Sequence, residues 1–94
     1  MLNFSYNNFK FKKHEQESYL MVTGEITNNT GRNYNAVVFR MVVFIKTIPI
    51  ANVAIIVNGF YANQTKPVEV RVGELEYRII PEITRYDIYA ESAY

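Results

Sequence analysis

Residues 28–34 read NNTGRNY, a polar stretch rich in turn-forming residues and almost free of apolar side chains. It separates two segments with the composition of β-strands, at 19–27 and 36–46. A polar segment with glycine and asparagine between two such runs is typical of a hairpin or of a connection between two sheets. The stretch therefore predicts an all-β domain, and it predicts no particular chemistry.

Most of the remaining chain alternates apolar and polar residues with the period of two that is typical of strands. Valine, isoleucine, tyrosine and phenylalanine supply the apolar positions, as expected for β structure. In residues 66–72, three valines share one face while Glu69 and Arg71 share the other. One apolar and one polar face is the pattern of an antiparallel sheet with one side in water.

The number of these segments predicts the architecture. Six to seven strand candidates occur in 94 residues, with a turn signal about every 10 residues, as in a small β-sandwich. No segment of useful length has a convincing helical period. We predict one antiparallel β-sandwich domain that covers residues 1–94, with a five-stranded barrel as the main alternative.

Glycine, asparagine and proline residues predict where the strands bend or stop. The pair at 7–8 predicts a bulge in the first strand, and Gly24 predicts a bulge or the close approach of another strand. Pro49 predicts a turn over residues 47–50. The Asn-Gly pair at 58–59 predicts a further turn, and the Gly-Glu pair at 73–74 predicts the end of the valine-rich strand.

The predicted core consists of apolar residues that share the inward faces of these strands. Its members are Leu20, Val22, Ile26, Val37, Phe39, Met41, Val43, Val53, Ile55, Val57, Val68, Val70 and Ile88.

Charge and composition exclude several classes of function. A formal net charge of +1 provides no charge-driven case for nucleic acid or for an anionic membrane surface. The absence of cysteine excludes disulfides, thiolate zinc sites and cysteine nucleophiles. No apolar run approaches the about 20 residues that span a bilayer, and the first residues do not resemble a signal peptide. We therefore predict no direct membrane insertion by this segment.

No group of residues forms a convincing catalytic, cofactor or metal site. His14 is the only histidine, and we expect it in a solvated turn between the first two strands because a transition-metal site needs several converging ligands. The acidic pairs at 74–76 and 87–91 are expected at the surface, where nothing would adjust their pKa values for acid–base catalysis. The loop at 28–33 lacks the carboxylates that calcium sites normally include. We predict no catalytic residue, no cofactor and no metal.

Two sets of residues are better candidates for an interaction surface. Tyrosine and arginine, which are enriched at binding hot spots, recur towards the C-terminus, and the second face of the third strand is mixed rather than polar. If that face is uncovered, it is an apolar patch and a candidate interface. Covering by the first or last strand is the alternative, and tyrosines are also common structural residues of β-sandwiches. The candidate residues are Val38, Val42, Phe44, Tyr77, Arg78, Arg85, Tyr86, Tyr89 and Tyr94.

Residues 24–31 (GEITNNTG) and 34–44 (YNAVVFRMVVF) resemble the FxLYD family. Its members are small immunoglobulin-like β-sandwich domains of bacteria and archaea. They typically carry a G-x-V-x-N-x-(S/T)-G segment, followed by a strand that ends in the motif that names them. The loop at 62–66 (ANQTK) is similar to a later turn of the family. The naming motif reads MVVFI at 41–45, so its apolar positions are kept and its acid is replaced by Ile45.

The resemblance implies an immunoglobulin-like sandwich and brings no catalytic residues. Family members are often modules of cell-surface, secreted or lipid-anchored proteins, which implies an extracytoplasmic location if this chain is part of a longer protein. We expect a non-enzymatic interaction or spacer module with a protein partner in an exported or membrane-linked assembly. Self-association through Val38, Val42 and Phe44 is the first alternative. Binding of carbohydrate or single-stranded nucleic acid by the aromatic surface is the second.

Overall fold

A computed structural model of the chain describes residues 3–94. In these residues, six β-strands and one short 3₁₀ helix form the regular structure. In chain order the elements are β1 (Phe4–Lys13), β2 (Tyr19–Asn28), β3 (Tyr34–Ile45), β4 (Ile48–Phe60), β5 (Thr65–Glu76), the 3₁₀ helix (Tyr77–Glu82) and β6 (Arg85–Ala93).

The strands form two antiparallel sheets of three. The first sheet has the order β1-β2-β5, and the second sheet has the order β4-β3-β6. Their apolar faces meet, with the Phe4 ring of the first sheet 5.0 Å from the Phe39 ring of the second. The prediction of an all-β antiparallel sandwich of six to seven strands is confirmed with six strands, which do not form a five-stranded barrel.

The buried core lies between the two sheets, and the central strands β2 and β3 supply most of it. Most of the predicted core residues are buried there. Val53, Val68, Val70 and Ile88 are instead only half-buried and pack at the margin of the core. They lie on β4, β5 and β6, which are edge strands, and an edge strand has a neighbour on one side only.

Two aromatic residues that the sequence did not assign to the core are buried in it. Phe4 and Phe60 are almost inaccessible, and their ring centroids lie 5.7 Å apart. Phe60 was missed because the Asn-Gly pair before it was predicted to be a turn. That prediction is wrong: β4 continues through this pair to Phe60, and Gly59 takes a φ of 65° within the strand.

Two other predicted strand ends are also wrong. The turn between β3 and β4 is at Lys46 and Thr47, so Pro49 lies inside β4. Because β4 is an edge strand, it tolerates the lack of a backbone N–H at proline. Gly73 does not end β5, which continues to Glu76 after an irregularity in its pairing with β2.

Two predictions for β1 and β2 are confirmed, namely the bulge in β1 and a close approach at Gly24. The register of β1 against β2 shifts between Asn7 and Lys10, and Asn8 has a φ of 58°, as a bulge requires. Gly24 leaves room for the Phe9 ring, because a Cβ added there would lie 2.6 Å from ring carbons. The close approach at Gly24 is thus made by a side chain of β1 and not by another backbone.

The polar stretch at 28–34 connects the first sheet to the second. Its first residue, Asn28, is fully buried. The Asn28 side-chain amide donates to the carbonyls of Arg32, at 2.8 Å, and Phe60, at 3.1 Å. Its side-chain oxygen accepts from the backbone amide and the hydroxyl of Thr30. Because these bonds satisfy the buried amide, Asn28 holds the connection closed against the end of β4.

Candidate interaction surface

The nine candidate surface residues fall into three places. Six of them lie on the outer face of the second sheet, which is the face turned away from the first sheet. Those six are Val38, Val42, Phe44, Arg85, Tyr89 and Tyr94. Tyr77 and Arg78 lie on the 3₁₀ helix at an end of the first sheet, and Tyr86 points between the sheets.

The outer face of the second sheet is uncovered in residues 3–94. Along β3, buried residues alternate with half-buried ones, so Val38, Val42 and Phe44 point away from the core. The 3₁₀ helix packs on β1 and β2 rather than on this face. Covering by the first strand does not occur either, because β1 belongs to the other sheet.

A network of polar side chains lies at the centre of this face. The Arg40 guanidinium forms a 2.9 Å ion pair with Glu91 of β6 and donates a 3.2 Å hydrogen bond to Asn52 of β4. Glu91 reaches Arg40 because the pairing of β3 with β6 shifts between Val38 and Phe39, which leaves one extra residue on β6. The network therefore links all three strands of the second sheet.

A second charged group lies at one end of the same face. The Arg85 guanidinium carbon lies 3.8 Å from the centroid of the Phe44 ring, in a cation–π contact. The same guanidinium pairs with Asp87 at 2.9 Å. Both residues of this pair are half-exposed, so the cation–π contact and the ion pair remain accessible to another molecule.

Exposed apolar side chains are concentrated on the second sheet. Among residues 3–94, the exposed large hydrophobic residues are Ile48, Ile56, Tyr61, Tyr89 and Tyr94. Each one lies on β4 or β6 or directly follows one of these strands. Ile56 and Tyr94 are 63% and 69% exposed. Ile56 is not among the surface residues predicted from the sequence, although its position next to inward-facing Ile55 places it on the outer face.

The outer face of the first sheet has a different composition. Its exposed positions carry Lys10, Lys12, Glu69 and Arg71. Met21 lies among them on β2 but is buried, between its cross-strand neighbours Lys12 and Arg71. Long charged side chains can cover an apolar residue in this way and keep their charges in water. No large apolar side chain is exposed on the described strands of this sheet.

The other candidate residues do not join the outer face of the second sheet. The Tyr77 ring lies 5.6 Å from the Lys13 ammonium and 6.0 Å from the Arg78 guanidinium, at one end of the first sheet. The Tyr86 ring packs 6.0 Å from Phe9 and 5.7 Å from Phe11, between the edge strands β1 and β6. Tyr86 therefore serves the packing of the sandwich.

His14 and the acidic residues occupy structural or solvated positions. His14 follows β1, and its Nδ1 accepts hydrogen bonds from the backbone amides of Gln16 and Glu17, both at 3.1 Å. This closes the turn between β1 and β2 that the sequence predicts. Across residues 3–94 there is no group of three or more histidine or acidic side chains that could hold a metal ion.

In residues 3–94, two groups have perturbed acidity, each for a local reason. Partial burial raises the pKa of the Tyr6 hydroxyl above the ordinary value of 10.0, and the Ala90 backbone partly opposes the effect. A hydrogen bond to the Tyr19 hydroxyl raises the pKa of the Arg71 guanidinium, which therefore stays charged. These shifts reflect packing and surface contacts; the two residues lie apart on β1 and β5.

The comparisons with known proteins return no relative. No protein-family model, no curated protein and no solved structure matches this chain. For the part of the chain that the structure describes, no helix has the length and apolar character needed to cross a membrane.

Proposed function

We propose that this protein is a non-enzymatic protein-binding module and that it binds through the outer face of the second sheet. The observation that carries the proposal is the uneven distribution of exposed apolar side chains: Ile56, Tyr89 and Tyr94 all lie on that sheet or at its end. The same face carries Arg40 and Arg85, and aromatic residues and arginine are enriched at protein-binding surfaces.

The chemistry of the face defines the partner it fits. Arg40, Arg85 and Tyr89 are of the residue types that contribute most to binding energy. Arg40 and Arg85 are each paired with a carboxylate on the same face, so the face has no strong net charge. We therefore expect a protein partner with apolar side chains around a few hydrogen-bonding groups, rather than a polyanion.

We further propose that the sandwich is immunoglobulin-like and that the resemblance to the FxLYD family reflects a common fold. The first, second and fifth strands share one sheet, opposite the third and sixth. This division matches the A, B and E strands of an immunoglobulin domain opposite its C and F strands. On this proposal the protein acts in an exported or membrane-linked assembly, as members of that family often do.

Two lysine substitutions test the binding surface. Val42→Lys places a charge at the centre of the outer face of the second sheet, and Thr23→Lys places the same charge on the outer face of the first sheet, also on a central strand. Both positions are half-buried. Immobilised wild type captures partners from extracts of the source cells, and each captured protein is then purified and titrated against the three forms.

The proposal predicts that a purified partner binds wild type and Thr23→Lys equally and binds Val42→Lys at least about tenfold more weakly, because an unpaired charge is then buried in the interface. Circular dichroism of both variants controls for folding. Equal binding by Val42→Lys, or a loss with Thr23→Lys alone, would overturn the assignment of the surface. Turnover of a substrate by the purified protein would contradict the non-enzymatic role.

A further inference from the structure

The four free edges of the two sheets differ in their protection against pairing with another strand. An edge strand offers unpaired backbone groups, and proteins commonly protect edges with charges, bulges or proline. β1 carries three lysines and a bulge, and β5 carries five charged residues and Pro67. β6 carries three charged residues and the bulge near Glu91.

β4 lacks most of these protections. It is the longest of the six strands, with 13 residues, and the only one of them without a charged side chain. Its pairing with β3 is regular from Ala51 to Val57. The sequence of that stretch, ANVAIIV, combines β-branched residues with zero charge, which is the composition that favours pairing between chains.

Protection is present only at the two ends of β4. Pro49 has no amide to donate at one end. At the other end, the Lys66 ammonium donates a 3.1 Å hydrogen bond to the backbone carbonyl of Asn58. The open part of the edge therefore lies between Ile50 and Val57.

The Lys66 contact also shows which backbone groups face outwards. A carbonyl that Lys66 reaches from β5 points away from β3. Because residues along an antiparallel strand direct their amide and carbonyl alternately to the two sides, Ala54 and Ile56 present theirs to the same open side as Asn58. These groups are available to an added strand.

We propose that the β4 edge is a dimerisation site, and that its occupant is β4 of a second copy of this chain, paired antiparallel about a two-fold axis. In a two-fold pair, each residue lies opposite another residue of the same strand. Like charges that face each other are destabilising across strands. β4 contains no charge, so no register of the pair creates such a repulsion.

The side of the sandwich has room for the added strand. A groove of about 490 Å³ runs between β4 and β5 and is lined by residues 54–58 and 66–71. Val68 and Val70 are only half-buried on its β5 side. A strand paired with β4 would lie along this groove and would cover these valines, so backbone pairing and apolar burial act together.

The charges on β5 fit the same two-fold arrangement. An axis beside Ile55 pairs Ala54 of each copy with Ile56 of the other, and both residues direct their backbone groups outwards. Because Lys66 contacts Asn58 and residues 54–58 and 66–71 line one groove, the proposed axis also passes near residues 69–71 of β5, in a register where Glu69 of one copy faces Arg71 of the other. Both side chains are exposed, and their opposite charges favour this register.

Light scattering and sedimentation measure the proposed dimer directly. Wild type is expected at twice the chain mass of 11.0 kDa. Ala54→Pro removes the outward amide and is expected to weaken the dimer by about tenfold or more. Ala54→Ser keeps the amide, and Val42→Lys alters only the outer face, so both are expected to remain dimeric. Circular dichroism establishes that each variant is folded.

Charge reversal provides a test that does not depend on proline. Glu69→Arg places an arginine towards Arg71 of the other copy and is expected to weaken the dimer severalfold, and the double variant Glu69→Arg/Arg71→Glu is expected to restore it. A monomeric wild type, or a folded Ala54→Pro that stays dimeric, would overturn the proposal. Loss of the dimer in Val42→Lys would show that the copies meet at the outer face instead of the β4 edge. A Glu69→Arg variant that dimerises as well as wild type would exclude the proposed two-fold register.

Discussion

The two sheets share one core but present different surfaces. The first sheet covers its only outward methionine with Lys12 and Arg71, and its edges carry charges and a bulge. The second sheet exposes Ile56 and Tyr89 and has one edge without any charge. The difference supports our proposals that other chains bind the second sheet rather than the first.

The strongest test of this comparison is to separate the inner and outer faces of the second sheet. Phe39→Ala removes a fully buried ring that lies 5.0 Å from Phe4 and 6.0 Å from Tyr6 of the first sheet. We expect the free energy of unfolding to fall by about 3–5 kcal/mol. Ile56→Ala, on the exposed face, is expected to cost less than about 1 kcal/mol.

Urea unfolding monitored by circular dichroism measures both variants. If Phe39→Ala and Ile56→Ala had similar costs, the assignment of inner and outer faces would be wrong.

The connection between the sheets provides a second test. Asn28→Ala removes the buried amide that binds the carbonyls of Arg32 and Phe60 and leaves these acceptors without their donor. The expected loss of unfolding free energy is about 1–3 kcal/mol. Asn33→Ala is the matched control, because Asn33 is exposed and accepts one bond from the Ala62 amide. A greater loss for Asn33→Ala would show that Asn28 does not hold the connection.

The third test concerns the packing of the first sheet. Gly24→Ala adds a methyl group at a position 2.6 Å from the Phe9 ring, so the ring must move. We expect a loss of about 1–3 kcal/mol in thermal or urea unfolding. At Gly73 an added methyl meets nothing within 4 Å, and Gly73→Ala is therefore expected to be close to neutral. Equal costs at the two glycines would contradict the close approach of Phe9.

The smallest expected effect is a dependence of stability on pH at the β1–β6 margin. The pKa of Tyr6 is raised by burial in the folded state, so folding favours the protonated hydroxyl. This stabilisation is complete below the pKa of the unfolded state, about 10, and is lost as the pH rises from there through the higher pKa of the folded state. Tyr6→Phe removes this dependence. Unfolding curves of both proteins between neutral and strongly alkaline pH measure it, and identical slopes would exclude the effect.

The sequence predicted the class of fold and most of the core because alternation with a period of two directly reflects one buried face. The bulge at Asn8 was predictable because the apolar residues of β1 change parity there. The continuation of β4 through Gly59 was not predictable. An Asn-Gly pair favours a hairpin unless a residue beyond it, here Phe60, gains more by burial. Pro49 and Gly73 were misassigned for a related reason: the position of a strand within its sheet decides whether a residue that usually ends a strand is tolerated.

The candidate surface was predictable only in part. The mixed face of β3 was visible in the alternation of residues 36–46. Tyr86 and Tyr89 could not be separated by residue type, since the register of β6 against β3 decides which of them faces the core. The unprotected edge at β4 required the sheet order, because only the pairing of strands shows which ones are edges.

The most direct test of the claim that the second sheet makes the contacts is an amide NMR spectrum of the labelled protein, recorded with and without its purified partner. Val38, Val42 and Tyr89 report on the second sheet, and Thr23 and Glu69 report on the first. Our account predicts that the resonances that shift belong to β3, β4 and β6, with those of Thr23 and Glu69 unchanged. Shifts centred on β1, β2 and the outer face of β5 would contradict it.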